Sequence, residues 1–158
     1  MYYLGVPKLM SQFIPITLVS NDPSSYRFGI GEIEYGFVTP LSSPISIDSR
    51  DISNWSVVLI GASFYHPGTA GPLFFYSNIC APQAVGSGSD PLLAIIPAAS
   101  AEGPFSFVAT SNPPAYCAIN AFTSSISIYI RDQYGNPPVD PTNATTTISL
   151  MLVRSPTP

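Results

Sequence analysis

The stretch SISIYIRDQYGNPPVDPTNATTTISLMLVR, residues 125–154, decides the fold. Isoleucines alternate with polar residues in its first part, and aliphatic residues alternate with Thr, Ser and Met near its end. This period of two predicts two strands, each with a core face (Ile126, Ile128 and Ile130 in the first; Ile148, Leu150 and Leu152 in the second). Between them, Gly135-Asn136 favours a turn with positive φ, and Pro137-Pro138 favours an extended path. We therefore predict a half-buried antiparallel pair at the end of the chain.

The remainder of the chain has the same character, because eighteen prolines and eleven glycines interrupt it every few residues. Such spacing favours short strands joined by turns over helices. Ten candidate strands lie at 13–19, 33–39, 43–48, 55–65, 72–79, 90–96, 103–110, 115–122, 125–131 and 145–153. Pro15 predicts an edge position or a bulge for the first of them. The pattern therefore predicts an all-β protein, an antiparallel two-sheet sandwich or barrel of eight to ten strands.

The charge content is unusually low. Charged residues make up 9% of the 158 residues, against about 25% in an average soluble domain. Surfaces poor in charge are typical of interface cores, so we expect this surface to be covered by a partner. Five Lys and Arg stand against nine Asp and Glu without any basic cluster, which argues against direct nucleic-acid binding. The longest apolar run, VVLIGASFY at 57–65, is too short to span a bilayer, and a membrane partner is not expected.

The order of motifs in 125–154 carries a family resemblance. An alternating strand, then RDQYGNPP, a short loop and a final alternating strand ending in Arg154 resemble the C-terminal end of small single jelly-roll capsid proteins. The most similar are penton or minor capsid proteins of double-stranded DNA viruses with double jelly-roll major capsid proteins, including virophages and polinton-like viruses.

The resemblance implies a single jelly roll of about eight strands in two sheets, formed by residues 13–158, with residues 1–12 as an N-terminal arm. It further implies a structural protein of the virion without catalysis or cofactor. Five copies would surround the fivefold vertex of an icosahedral capsid and contact the major capsid protein and other virion proteins. On this hypothesis the interface residues are Tyr2, Tyr3 and Leu4 in the arm, and Tyr129, Arg131 and Tyr134 near the terminal turn.

Residues that could carry chemistry are few. His66, in FYHPG, is the one histidine and is expected to be a partly exposed loop residue; a hydrolase would need it beside a Ser and an Asp. Glu32 and Glu34 would point to one face of a strand, about 7 Å apart, which a glycosidase could use. Solvated carboxylates are the more common reason for such a pair.

Metal and covalent sites are similarly weak. Asp48, Asp51, Asp132 and Asp140 are candidate calcium ligands, but we expect them to be loop carboxylates, and no metal site is predicted. Cys80 and Cys117 could pair in a disulfide or remain buried thiols. Asn54 and Asn143 lie in glycosylation sequons, to which little weight attaches because such matches arise by chance.

An alternative function is a carbohydrate-binding or adhesion module on a similar sandwich. The chain has nine Tyr, nine Phe and one Trp, and exposed aromatic rings stack on sugars. Tyr2, Tyr3, Tyr116 and Tyr134 are the rings expected to be exposed. This alternative predicts coplanar aromatic side chains beside Asp, Asn or Arg.

Overall fold

The computed structural model describes residues 12–28, 35–68, 71–85, 88–97, 101–109, 117–136 and 145–155. Within these ranges the regular structure is almost entirely β, with one short 3₁₀ turn at Ile52–Asn54. The strands are β1 (Gln12–Val19), β2 (Tyr26–Phe28), β3 (Tyr35–Ser46), β4 (Trp55–Pro67), β5 (Leu73–Ser77), β6 (Gln83–Val85), β7 (Gly88–Asp90), β8 (Leu92–Ile96), β9 (Glu102–Val108), β10 (Cys117–Ala118), β11 (Phe122–Arg131) and β12 (Thr147–Arg154).

The strands form two five-stranded antiparallel sheets and a small β6–β7 hairpin. In sheet A the order is β1-β12-β4, and β4 then pairs with β9 along one half and with β10 along the other. In sheet B the order is β2-β3-β11-β5-β8. Both sheets contribute their inner faces to one buried core.

The eight longest of these strands pair as a single folded ribbon. The first pairs with the last (β1 with β12), and inward from them β3 pairs with β11, β4 with β9 and β5 with β8. The ribbon then rolls up, so that β12 meets β4 in sheet A and β11 meets β5 in sheet B. Eight antiparallel strands wound in this way into two packed sheets are a jelly roll. The predicted fold class is confirmed.

The two strands of the opening stretch have the predicted faces but are not partners. Ile126, Ile128 and Ile130 are at most 1% exposed, and Ile148, Leu150 and Leu152 at most 2%. However, β11 lies in sheet B and β12 in sheet A, so the two rows face each other across the core. The predicted antiparallel pair is therefore wrong. A two-residue turn would have forced a hairpin, whereas the long connection from β11 to β12 lets the chain change sheets.

The two predicted strands at 33–39 and 43–48 are one long strand, β3, with an irregularity in its middle. Pro40 pairs with Ser125 while Ile45 pairs with Thr123, so the four residues 41–44 of β3 stand opposite the single residue Ser124 of β11. Pro40 and Pro44 have no N–H to donate to a sheet ladder, which favours a bulge at this point. Residues Leu41–Pro44 are not part of the regular pairing with β11.

The expected edge position of Pro15 is confirmed, since β1 forms an edge of sheet A and Pro15 lies opposite Met151. The predicted strand at 115–122 is reduced to β10 and the beginning of β11 in the part that the structure describes.

Candidate interaction surfaces

A cleft on the outer face of sheet B gathers two of the predicted interface residues. Tyr129 on β11 lies directly opposite Tyr76 on β5, and the guanidinium carbon of Arg131 lies 5.6 Å from the centroid of the Tyr76 ring. Asp90 and Pro91 complete the lining of a cleft of about 130 Å³. We call this the Tyr–Arg cleft. A cation over an aromatic ring contributes about 0.5–1 kcal/mol at exposed sites and holds both side chains in place.

The electrostatics of the Tyr–Arg cleft follow from its position. Partial burial and the nearby Asp90 carboxylate raise the pKa of Tyr76, and Arg131 opposes them by lowering it. Tyr76 therefore stays a neutral phenol that donates or accepts a hydrogen bond. The cleft offers two phenols, a cation and a carboxylate, which suits it to binding polar partners. Sequence reasoning missed Tyr76, because nothing local shows that β5 lies beside β11.

The third described interface residue, Tyr134, sits on a stiff turn. One oxygen of the Asp132 carboxylate accepts hydrogen bonds from the backbone N–H groups of Tyr134 and Asn136, both at 2.8 Å. Gly135 has φ of +84°, as the sequence predicted for this turn. Tyr134 is 80% exposed, so its predicted exposure is confirmed. It belongs to the turn and does not line the Tyr–Arg cleft.

The outer face of sheet A is the larger uncharged surface. Its strand positions alternate with the core positions and carry aliphatic, aromatic, Pro, Ser and Thr side chains: Phe13, Pro15, Thr17 and Val19 on β1; Thr147, Ser149, Met151 and Val153 on β12; Ser56, Val58, Ile60, Ser63 and Tyr65 on β4; Pro104, Ser106 and Val108 on β9. The charged exception is Glu102 at one end, which accepts a hydrogen bond from the Tyr65 hydroxyl at 2.6 Å. Phe13, Ile60 and Val108 are 58%, 37% and 66% exposed.

A groove lies at the edge of the sandwich, between β1 and the bulge of β3. It has a volume of about 350 Å³. Sheet A contributes Ile14, Ile16, Trp55 and Leu152 to its lining, and the strand that faces them contributes residues of the range 41–47. We call this the edge groove. Its walls are mainly apolar.

The three candidate calcium ligands that the structure describes are bound by the protein's own groups. Asp48 binds Arg50 at 2.8 Å and Asp132 closes its own turn. Asp51 accepts hydrogen bonds from Arg154 at 2.8 and 3.0 Å, besides others from Asn54 and Trp55. In the ranges that the structure describes, no three His, Cys, Asp or Glu side chains come together as metal ligands.

The Asp51–Arg154 pair ties the end of β12 to the turn before β4. The hydrogen bonds from Arg154 and Asn54 lower the pKa of Asp51 to about 2, against an ordinary value of 3.8. Asn54, the residue of one predicted sequon, thus uses its side-chain amide to hold Asp51 at 2.8 Å. The pair is half-exposed and leaves neither charge free for a partner.

His66 does not occupy the exposed loop position expected of it. It follows Ala62 and Phe64 on the inner face of β4, and it is 0% exposed. Its ring centroid lies 6.0 Å from that of Phe64 and 5.3 Å from that of Phe105. The period-two alternation of β4, extended by one step, was the signal that could have found it.

The environment of His66 gives no support to a hydrolase. Burial lowers its pKa, so the ring is neutral. Nδ1 accepts a hydrogen bond from the backbone N–H of Gly68 at 3.0 Å, and Nε2 has no hydrogen-bond partner in the described part of the chain. Among the described residues, no serine hydroxyl or carboxylate forms a hydrogen bond with this ring. The geometry that the hydrolase hypothesis predicted is not seen among the described residues.

Cys80 and Cys117 are brought together by the fold but are not bridged. Cys80 is 0% exposed and Cys117 6%. The contact with Cys117, followed by burial, raises the pKa of the Cys80 thiol, and the Cys117 thiol donates to the backbone oxygen of Leu93 at 3.2 Å. The same contact lowers the pKa of Cys117 to about 7, so the two buried thiols differ in how readily they ionise.

Other predicted residues lie outside the described ranges: Tyr2, Tyr3, Leu4, Glu32, Glu34, Tyr116, Asp140 and Asn143. Their predictions stay predictions. Within the described ranges, no helix has the length and apolar character that crossing a membrane requires.

No protein-family model matches this chain, and no curated protein matches it. Among solved structures, the chain is similar to the cryo-electron microscopy structure of the virus-like particle of the extra small virus of the giant freshwater prawn Macrobrachium rosenbergii. That match has a TM-score of 0.33 and 8% sequence identity, over 99% of this chain and 88% of that chain. A likeness at this TM-score does not establish a shared fold. The jelly-roll assignment therefore rests on the strand order of this chain alone.

Proposed function

We propose that this chain is a structural protein of a viral capsid, a single jelly roll whose copies assemble side by side as a homopentamer at the vertices. The observation that carries the proposal is the uncharged outer face of sheet A, with Phe13, Ile60 and Val108 exposed on it. Exposed apolar side chains on a sheet face that carries little charge are typical of a surface that a partner covers.

The ion pairs of the described residues support the same proposal. Arg50 is held by Asp48 and Arg154 by Asp51, so these charges are neutralised within the subunit. Neither arginine is then an isolated charge that a neighbouring copy would have to desolvate. A subunit whose work is lateral packing needs complementary surfaces rather than a reactive centre.

The partners on this proposal are copies of the same chain, the major capsid protein and other virion proteins, and the place of the protein is the virion. Tyr129, Arg131 and Tyr134 would contact neighbours on the side of sheet B, and Tyr2, Tyr3 and Leu4 would do so from the N-terminal arm. The acidic balance favours a position away from the packaged nucleic acid.

The mass of the purified chain in solution tests the proposal. Sedimentation or native mass spectrometry over a range of concentrations should give a species of five times the 16.8 kDa of one chain. If the chain assembles only with the major capsid protein, the capsid role is supported, but the prediction that the chain forms a pentamer by itself is wrong. A monomer that stays monodisperse at high concentration and also with capsid partners would overturn the proposal.

A carbohydrate-binding or adhesion module is the second candidate, and the Tyr–Arg cleft is the observation that favours it. Tyr76, Tyr129, Arg131 and Asp90 supply the aromatic and polar groups that this alternative predicted. The cleft of about 130 Å³ is nevertheless smaller than small-molecule sites, which run from about 300 to 1,000 Å³. This favours the cleft as a patch within a protein interface.

A glycan array separates the two candidates. Binding of a glycan that is lost in Tyr129→Ala, and kept in Phe122→Ala on the same strand, would establish the second candidate. If the chain assembles and binds no glycan on the array, the second candidate is ruled out and the capsid proposal remains.

A further inference from the structure

The fold places the two cysteines side by side on the core face at one corner of the sandwich. Cys117 in β10 pairs with Val57 of β4, which is 0% exposed, so both side chains face the core. Cys80, just beyond the end of β5, lies opposite Ile119. Ile119 is two positions from Cys117 and therefore shares its face. The two thiols contact each other, although residues 81–116 lie between them in the sequence.

The backbone around Cys80 is held by hydrogen bonds on both sides of the residue. The N–H of Cys80 donates to the backbone oxygen of Ser77 at 3.0 Å, and the N–H of Ala81 donates to that of Ala118 at 2.8 Å. The side-chain amide of Asn120 donates to the backbone oxygen of Cys80 at 3.0 Å. Because this segment is tied to the chain beside β10, Cys80 keeps its place next to the other thiol.

The two thiols have different chemical roles open to them. Cys80 is 0% exposed and Cys117 is 6% exposed. The contact between them raises the pKa of Cys80 and lowers that of Cys117 to about 7, against an ordinary value of 9.0. The thiolate is the form of cysteine that attacks an oxidant. Cys117 is therefore the thiol that reacts first, and Cys80 is the neighbour that attacks it next, as in other redox-sensitive pairs.

We propose that Cys80 and Cys117 are a redox site, which forms a reversible disulfide within the folded subunit when the chain meets hydrogen peroxide. The Cys117 thiolate attacks one peroxide oxygen, the O–O bond breaks, and the hydroxide that leaves takes up the proton that Cys117 had lost. The product is a sulfenic acid at Cys117. The sulfur of Cys80 then attacks the sulfur of Cys117, the S–O bond breaks, and the hydroxyl leaves as water with the proton of Cys80. Two thiols are oxidised, and one peroxide is reduced to two waters.

The disulfide would join the two sheets covalently. Cys80 follows β5, which belongs to sheet B, and Cys117 lies in β10, which belongs to sheet A. A disulfide stabilises a folded chain mainly by restricting the unfolded chain, and the effect grows with the length of the loop that it closes. The loop closed here contains β6, β7, β8 and β9. We therefore expect the oxidised subunit to resist unfolding better than the reduced one, and a small dithiol should reverse the change by thiol–disulfide exchange.

Thiol counting and peptide mapping test the proposal in the full chain. The folded protein is reduced, freed of reductant, treated with hydrogen peroxide, and then denatured in the presence of a maleimide. We expect both thiols to escape labelling together, and dithiothreitol given before denaturation should restore both. After digestion with pepsin, whose acid conditions suppress thiol–disulfide exchange, the Cys80 peptide should be bonded to the Cys117 peptide with the loss of two hydrogen atoms. On a denaturing gel without reductant the chain should remain a monomer.

Cys80→Ser and Cys117→Ser are the matched controls, because each keeps one thiol. Peroxide should raise the melting temperature of the unmodified chain by about 10 °C and leave that of both variants unchanged. A reagent that traps sulfenic acids separates the two roles. It should label Cys80→Ser several-fold faster than Cys117→Ser, since the former keeps the thiol that reacts first. The peptide map of the unmodified chain needs neither variant, so the test stands even if a buried serine prevents folding.

The outcomes separate this inference from the proposed function. Two thiols that stay free in the folded chain after long treatment would overturn it. Oxidation of each cysteine separately to a sulfinic acid, or a disulfide between copies, would overturn it as well. A disulfide that forms within the chain without raising the melting temperature would refute the stabilising link between the sheets. None of these results bears on the capsid proposal, because the pair lies inside one subunit, and a chain that stays monomeric would leave the redox site standing.

Discussion

Phe13 offers a quantitative test of the outer face of sheet A. Replacement by lysine places a charge at a position of β1 that is already 58% exposed, so the subunit should still fold. A whole phenylalanine has about 200 Å² of surface, and the exposed fraction of 58% therefore leaves about 120 Å² for a partner to cover. At about 25 cal/mol per Å², covering this area contributes about 3 kcal/mol per contact.

Loss of about 3 kcal/mol weakens each subunit contact about a hundredfold. The concentration at which half of the protein is assembled, measured by sedimentation, should rise by about that factor in Phe13→Lys. Phe122→Lys is the matched control, because Phe122 is also exposed, at 63%, but begins β11 in sheet B. An unchanged assembly midpoint in Phe13→Lys, or an equal rise in the control, would refute the role of the outer face of sheet A.

Three further predictions concern the subunit itself. Ile128→Ala removes a side chain that is 0% exposed and should lower the free energy of unfolding by about 2–5 kcal/mol, as measured by urea denaturation. The pKa of Asp51 in the folded chain, about 2, lies below its ordinary value of 3.8, so its contribution to stability is complete above pH 4 and is lost as the pH falls towards 2; in Asp51→Asn, acid titration of stability should be flatter there. Cys80 and Cys117 should resist a maleimide in the folded chain and react fully after unfolding.

Each of these three has an outcome that contradicts it. A loss below about 1 kcal/mol in Ile128→Ala would mean that β11 does not lie at the centre of the core. An equally steep acid titration in Asp51→Asn would assign the effect to other carboxylates. Rapid labelling of either thiol in the folded protein would contradict its burial.

The sequence predicted which face of a strand is buried, but it did not predict which strands pair with each other. The alternation in β11 and β12 predicted which side chains are buried, because a period of two depends on the strand alone. It could not predict that the two strands belong to different sheets, since the choice of partner depends on how the whole ribbon rolls up. For the same reason it placed Tyr129 and Arg131 on one face of a strand but could not place Tyr76 beside them, since Tyr76 belongs to a strand about fifty residues earlier in the chain.

Proline and histidine positions show a different limit of sequence reasoning. The sequence predicted separate strands at 33–39 and 43–48, whereas the chain runs on through a bulge between Pro40 and Ile45 that keeps both halves of β3 in one sheet. That bulge forms one wall of the edge groove, which no local pattern predicted. His66 was expected in a loop because Pro67 and Gly68 follow it, yet the inward parity of β4 continues for one residue more.

The pairing of β1 with β12 determines when, during synthesis of the chain, the subunit can complete its folding. Among the described strands β1 is synthesised first, and its partner β12 is synthesised last. β1 therefore lacks its partner strand until β12 has been synthesised. Contacts of such long sequence separation fold slowly, in about milliseconds to seconds for all-β domains. We expect the subunit to complete its fold, and hence to join any larger particle, only after β12 has been synthesised.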